Sequence, residues 1–505
     1  MNISSIIFDK AKTDTLSKTA IIFEDRETSY KEILDQTKNL VGAFANLGMK
    51  KGEKVALFVP TCPEYLISYF AAVTTGAVAV PINTHFKGEE VKFILEDSGA
   101  TTLILGSSLY PNIQQIAPKL SDLRIIEIGG KHLVHSWNYK DLVSQTVGRV
   151  EVVEMKPDDD AHIIYTTGTT GKPKGVLITH SNLSWMAKMV AQEWEMRPDE
   201  KIVLPVPLFH VYGLVCSLSM MISGSINLLV ERFRPDEMIE LIMKHKPASF
   251  MGVPTMYTMM LDCVGENGRD MSFLKYCASG AASLPVEVLQ GFRDRFKTNI
   301  VEGYGLSECT VSVCKNPVRG KQKPGSIGLP FPGLTVKIFD EHDNELPANE
   351  VGEIVVRGPN VMKGYLNNPE ATQETMRGGW LHTGDLGYKD EEGYFYITDR
   401  KKDMYIRGGE NVYPREMEEV LYGHSAVLEC AVIGVPDTIF GQVGKAFIVL
   451  RPGHQLSEEE VIEYCKNRLA YYKVPKYVEL IKEFPKTATG KILKRELKPK
   501  DGGGR

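Results

Sequence analysis

Between Thr166 and Gly175 the chain reads Thr-Thr-Gly-Thr-Thr-Gly-Lys-Pro-Lys-Gly. Three glycines allow tight backbone with positive φ, which lets amide groups converge on one anion. Four threonine hydroxyls add donors, and Lys172 and Lys174 add charge. The preceding Ala161-His-Ile-Ile-Tyr165 has the apolar character of a buried strand. A Gly/Thr string can be a plain surface loop, but directly after a buried strand it sits where α/β proteins bind ligands. It is not a Walker loop, which ends in Gly-Lys-Ser/Thr. It predicts phosphate binding of another kind.

Six further stretches could carry chemistry: Leu204-Pro-Val-Pro-Leu-Phe-His210, Ala278-Ser-Gly-Ala-Ala282, Gly303-Tyr-Gly-Leu-Ser-Glu308, Thr383-Gly-Asp385, Asp399-Arg400 and Pro485-Lys-Thr-Ala-Thr-Gly-Lys491. Each alone has a plainer reading. Tyr304 would be a core tyrosine, Glu308 a helix-start glutamate and Thr383-Gly-Asp385 a turn. His210 would be a structural histidine and Lys491 a solvated lysine. Together and in this order, with the threonine-rich loop, they resemble the adenylate-forming superfamily. That group includes acyl-CoA synthetases, nonribosomal peptide adenylation domains and beetle luciferases. The resemblance covers nearly the whole chain. One departure is Thr167, where many relatives carry serine; the hydroxyl is kept. Gly252-Val-Pro-Thr-Met-Tyr257 and Asp399-Arg-Lys-Lys-Asp-Met404 are most similar to bacterial medium- and long-chain fatty acyl-CoA synthetases.

The resemblance implies that a carboxylate attacks the α-phosphorus of ATP, pyrophosphate leaves, and coenzyme A then takes the acyl group with release of AMP. Two anions must meet, so positioning and charge neutralisation supply most of such catalysis. Thr166, Thr167, Gly168, Thr169, Thr170, Gly171 and Lys174 would hold phosphates. Thr166 and Glu308 would hold magnesium, a cation suited to one carboxylate plus phosphates. Tyr304 would stack on adenine beside the small Gly280, Ala281 and Ala282. Gly303, Gly305, Ser307 and Ile397 would complete the nucleotide site. Asp385 would accept hydrogen bonds from the ribose, with Arg400 nearby. Lys491 would meet the carboxylate and α-phosphate, and His210 the junction of the carboxylate and thiol paths. Lys491, His210 and Glu308 are the implied catalytic residues. Lys402 matches the hinge about which the small domain swings. Arg407, Gly408 and Gly409 would then wall the coenzyme A tunnel, although Gly408-Gly409 can equally be a β-turn.

The implied acyl pocket draws on Phe209, Val211, Tyr212, Val253, Gly280, Gly305 and Thr310. These are mostly small or apolar, which suits an alkyl or aryl acid. Amino-acid-activating relatives carry an aspartate near the position of Val211, and Val211-Tyr212-Gly213 has no carboxylate, so an ammonium would be unpaired there. Fatty acyl-CoA synthetase is the leading reading. An aryl acid:CoA ligase, an acyl-adenylate donor to a carrier protein and a nucleotide sensor without turnover are the alternatives.

These residues need rigid elements. Ser29 and Glu32 form a capping box opening a helix that carries Leu34, Val41, Phe44 and Leu47 and stops at Gly48. Strand patterns at Val55–Val59, Ala77–Ile82, Thr102–Leu105 and Arg124–Ile128 alternate with helical ones, which predicts α/β architecture with largely parallel sheets. From about Gly325, short runs at Thr335–Phe339, Glu353–Val356 and Tyr394–Ile397 predict a small antiparallel subdomain, β-barrel-like or a sheet. Beyond the charged Asp399–Asp403 connector, helix, strand, strand and helix patterns run at Arg415–Leu421, Leu428–Val435, Lys445–Leu450 and Glu458–Leu469, the last opened by a Ser457–Glu460 capping box. The expected division is a large domain over 1–400 and a small mobile α+β domain over 401–505. Near its end, Thr489-Gly-Lys-Ile-Leu-Lys-Arg495 predicts a turn opening a basic helix.

The 505 residues exceed one ordinary core. A net charge of −5 gives no polyelectrolyte signal, so nucleic acid is not an expected partner. Eight cysteines without a C-x-x-C pair read as reduced thiols. The start, MNISSIIFDKAKTD, lacks the pattern of a secretory signal, and a cytoplasmic location is expected. The apolar stretches Leu66–Ile82 and Val211–Val230 each divide better into buried helix, glycine turn and buried strand than into a membrane span. A homodimer is compatible with the sequence, which does not specify oligomeric state.

Overall fold

A computed structural model describes residues 2–10, 15–145, 150, 152–167, 173–487 and 490–497. Among these, one sheet runs through the parallel strands Thr19–Phe23, Ile226–Leu229, Lys201–Leu204, Ser249–Gly252, Tyr276–Ser279 and Ile300–Tyr304. A second holds Asp160–Thr167, Val78–Pro81, Lys54–Phe58, Ala100–Gly106, Arg124–Ile128 and Ser136–Asn138 in parallel. Toward its other edge lies the antiparallel hairpin partner Pro173–Thr179. The alternation expected from the sequence is thus present.

Both faces of the second sheet are buried, as parallel sheets require. Val55, Leu57 and Val59 face the main core, while Ala56 and Phe58 face a second core with the helix Gly88–Ser98. The main core also takes in helices Tyr30–Asn46, Pro63–Thr74, His180–Glu193 and Val211–Ser223. Both apolar stretches resolve as helix, positive-φ glycine and strand: Pro63–Thr74, Gly76, Val78–Pro81, and Val211–Ser223, Gly224, Ile226–Leu229. No helix of the described residues is long and apolar enough to cross a membrane. The Ser29–Glu32 and Ser457–Glu460 capping boxes both form.

The antiparallel sheet contains Thr335–Phe339, Gly352–Arg357 and Phe395–Arg400 as expected, plus Leu381–Lys389, which the sequence pattern did not reveal. Residues from Tyr405 onward bury two cores of their own around the long hairpin Val427–Asp437 and Gly441–Leu450. The helix expected over 458–469 ends at Lys466. The expected basic helix after Lys491 is a single 3-10 turn, Lys494–Leu497, within the described residues. There Leu493 N–H bonds Pro485 O and Lys494 Nζ pairs with Glu418, so the segment follows tertiary partners instead of its own periodicity.

Candidate active site

A cleft of about 890 Å3 opens where the parallel strands of the first sheet end. Strand Ile300–Tyr304 delivers Gly303, Tyr304 and Gly305, strand Tyr276–Ser279 delivers Gly280 and Ala281, and the turn after Lys201–Leu204 delivers Phe209 and His210. Carboxyl ends of strands are where open α/β sheets bind ligands. On the other sheet, Thr166 and Lys174 are cross-strand partners and both line the cleft. The residues between them, Gly168, Thr169, Thr170, Gly171 and Lys172, lie outside the described residues, and of Thr167 the backbone pairing with Pro173 is described.

One corner of the cleft is built on Asp385. It is 3% exposed. Tyr304 donates its hydroxyl to Asp385 Oδ2 at 2.6 Å, and Arg400 Nε lies 3.0 Å from Oδ1. Asp385 and Arg400 face each other in the antiparallel ladder, so strand pairing itself makes the ion pair. Burial, then the Asp385 charge, pushes the Tyr304 phenol well up, which keeps it a neutral donor.

A second corner holds Glu308 at the 3-10 turn Ser307–Cys309. Tyr365 donates to Glu308 Oε1 at 2.9 Å, and Lys174 Nζ stands 5.0 Å from the Tyr365 ring centre. After this turn the chain takes positive φ at Thr310 (49°) and at the β-branched Val311 (89°), a conformation rarely tolerated without outside support. Fully buried Asn360 supplies the support, donating to Cys309 O at 3.0 Å and Ser312 O at 2.8 Å. Gly305 must be glycine here, because a Cβ would fall 1.6 Å from the Val311 carbonyl oxygen.

His210 caps the helix Val211–Ser223, its Nδ1 accepting Tyr212 N–H at 3.2 Å. Burial, then Lys491, lowers its pKa to about 4. It is therefore neutral near pH 7, and with Nδ1 accepting, the ring proton sits on Nε2. Lys491 itself stands in the cleft with Lys402. Arg400 first, then burial, with Lys402 adding to both, push the Lys491 ammonium down to about 8.

Residues 8–366 match the AMP-binding enzyme family, and residues 416–491 match the AMP-binding enzyme C-terminal domain. The chain belongs to the AMP-binding enzymes. It is 40% identical over 529 residues to a long-chain-fatty-acid–CoA ligase of Bacillus subtilis (strain 168), covering 98% of this chain and 94% of that one. It is 35% identical to a feruloyl-CoA synthase of Amycolatopsis sp., with 96% of each covered. The anthranilate CoA ligase AuaEII, solved with anthranoyl-AMP, matches with TM-score 0.92 at 30% identity over 98% of this chain and 96% of that one. This AMP-binding enzyme is an AMP-forming acid–thiol ligase, a class whose substrates include ATP and coenzyme A.

Most residues singled out in the sequence meet in the cleft of this AMP-binding enzyme: Thr166, Lys174, Phe209, His210, Val211, Tyr212, Gly280, Ala281, Gly303, Tyr304, Gly305, Ser307, Glu308, Arg400, Lys402 and Lys491. Eight of the described ones do not line it. Val253 is buried at the start of helix Pro254–Val264, and Thr310 is buried with its hydroxyl bonded to Asn360 O at 2.7 Å, so neither forms part of the cleft wall. Ile397 gives its carbonyl to Arg415 at 2.9 Å, and Ala282 lies just outside the wall. Asp385 stands behind Tyr304 and Arg400.

Arg407, Gly408 and Gly409 also lie away from the cleft. The two glycines, both at positive φ, turn the hairpin Tyr405–Arg407 and Glu410–Val412. Arg407 bonds Tyr472 O and Val474 O. Sequence reasoning missed Val190, Trp194 and Cys216, which line the apolar end. They sit on helices whose alternation reads as ordinary core, so only the fold exposes them.

Proposed function

We propose that this enzyme activates a fatty acid as its acyl-adenylate and passes it to coenzyme A. The supporting observation is the wall made by Trp194, Phe209, Tyr212, Cys216 and Met251, which offers apolar and aromatic surface and no side chain to pair an ammonium or a second carboxylate. The fatty-acyl carboxylate would lie between His210 and Lys491, with ATP along Tyr304, Asp385 and the Thr166–Lys174 hairpin. Neutral His210 can donate from Nε2 to a carboxylate or acyl oxygen. Lys491 would offset charge on the α-phosphate and carboxylate as they meet.

Magnesium suits the donor set. The described residues hold no cluster of three His, Cys, Asp or Glu, and Glu308 with the Thr166 hydroxyl offers one carboxylate and one neutral oxygen, a set completed by phosphates. Bound there, the ion would neutralise phosphate charge. Lys491 ends the stretch that matches the C-terminal domain family, and a division near residue 400 with Lys402 as hinge would let the smaller part exchange Lys491 for the Arg407–Gly409 hairpin when the thiol attacks.

An aryl acid is the second reading, favoured by the aromatic side chains Trp194, Phe209 and Tyr212 in the same wall as the small Gly280. AMP formation across acids from acetate to palmitate, plus benzoate-type acids, tests both. Highest kcat/KM on alkyl acids of medium or greater length is expected; a benzoate-type optimum would replace the first reading by the second.

A further inference from the structure

Strand Leu381–Lys389 carries Asp385 on a distortion. Gly352 and Glu353 pair with Gly387 and Leu386, while Val355 and Val356 pair with His382 and Leu381. Between these registers Ile354 alone opposes Thr383, Gly384 and Asp385. Such a bulge re-aims a side chain and strips ladder hydrogen bonds from the extra residues.

The displaced groups can be accounted for one by one. Asp385 N–H bonds Thr383 Oγ1 at 3.1 Å, and that hydroxyl donates to Ile354 O at 2.7 Å. Gly384 O accepts Lys401 N–H at 2.9 Å. Gly384 N–H, at φ 72°, goes to a side chain, Glu353 Oε1, at 3.0 Å. The other oxygen of Glu353 lies 3.4 Å from each of Lys401 Nζ, Arg377 NH2 and His382 Nδ1. Burial raises the Glu353 pKa, but Lys401, the Gly384 amide and His382 more than offset it, and the carboxyl ends below its ordinary value. A buried, charged acceptor is the strong kind of partner for a stranded amide.

We propose that Glu353 is a positioning residue for the nucleotide: its carboxylate fixes the Thr383–Asp385 bulge and, through Lys401, ties it to the strand carrying Arg400, so that Asp385 and Arg400 present one geometry to the ribose. Glu353 acts through Asp385 and need not touch ATP. The inference rests on the proposed ribose role of Asp385.

The test is pyrophosphate exchange with ATP and with 2′-deoxy- and 3′-deoxy-ATP, for the wild type, Glu353→Ala, Glu353→Gln and Asp385→Ala, alongside thermal melting. Loss of the positioning group should shrink the ATP preference over the deoxy nucleotides by about tenfold in Glu353→Ala, the worth of one hydrogen bond. Activity on the deoxy nucleotides should change far less. Glu353→Gln keeps an acceptor for Gly384 N–H and loses the charge facing Lys401, so a smaller loss, about threefold, is expected. If Glu353→Ala lowers all nucleotides equally, Glu353 is merely structural and the proposal fails. If that variant does not fold, Glu353→Gln decides, and unchanged discrimination overturns the proposal. An Asp385→Ala enzyme that still prefers ATP as the wild type does overturns the ribose reading instead.

Discussion

Tyr304 donates to Asp385 across 2.6 Å, so the aromatic ring proposed to stack on adenine and the carboxylate proposed to hold the ribose are bonded to each other before any nucleotide arrives. On that proposal the two halves of the nucleoside site are preorganised as a unit. Tyr304→Phe keeps the ring and removes this bond. KM for ATP should rise by about tenfold, in keeping with a hydrogen bond to a charged group, while KM for the acid stays nearly constant. Steady-state kinetics with each substrate varied in turn would show it; a change confined to the acid would contradict the assignment.

Asn360 holds the turn that carries Glu308 and the strained Val311. Asn360→Ala leaves two carbonyls without their donor and releases the Thr310–Val311 conformation. A stability loss of about 2–3 kcal/mol is expected, measured by urea unfolding. KM for the acid should rise with it, because Val311 forms part of the cleft wall.

Glu302 is buried on the cleft strand Ile300–Tyr304, accepting Leu284 N–H at 3.2 Å, with Arg415 and Glu419 nearby. Burial chiefly raises its pKa from 4.5 to about 7. The folded state then holds more protons than the unfolded chain between those values, so stability should fall as pH rises from about 4.5 to about 7. The loss is at most about 3 kcal/mol. Glu302→Gln should flatten the dependence of the urea midpoint between about pH 5 and about pH 7.5. Asp399, also buried and raised to about 6, contributes with the same sign, so some slope should remain.

Lys491 gives a separate pH signature. With its free-enzyme pKa lowered to about 8 by Arg400 and burial, it loses its charge as pH rises through that value. kcat/KM for ATP reports the free enzyme, so it should decline on an alkaline limb centred near 8. Lys491→Arg should move that limb upward, since a guanidinium does not titrate there. A limb that stays put in Lys491→Arg belongs to another group.

The sequence made the nucleotide corner legible because its residues occur in short motifs: Tyr304 and Glu308 share one, and Asp385 and Arg400 meet by strand pairing. Other parts were hidden for physical reasons. Strand Leu381–Lys389 was not legible because the bulge at Thr383-Gly384 breaks its alternation and reads as a turn. Asn360 and Glu353 act through backbone groups far along the chain, which no local spacing marks. Thr310, expected at the acyl pocket, bonds Asn360 O and does not line the cleft, and the positive φ it adopts leaves no mark in local spacing. Trp194 carried no signal, because a tryptophan at the end of an amphipathic helix looks like core until the cleft behind it is seen.

Lys491 stands in the cleft and the Arg407–Gly409 hairpin outside it, and the proposed function gives each a different half-reaction. On that proposal the arrangement with Lys491 in the cleft is the one for adenylation. Lys491→Ala should cut acyl-adenylate formation by about 10²–10³, the scale of one transition-state donor. Supplied with preformed acyl-adenylate, the same variant should make acyl-CoA near the wild-type rate. Lys402→Pro should do the reverse, because a fixed φ restricts the proposed hinge while leaving Lys491 in place. Pyrophosphate exchange would survive, and thioester formation from purified adenylate would drop. If both variants lose both steps equally, Lys491 and the hairpin do not take turns, and a single fixed arrangement must serve both reactions.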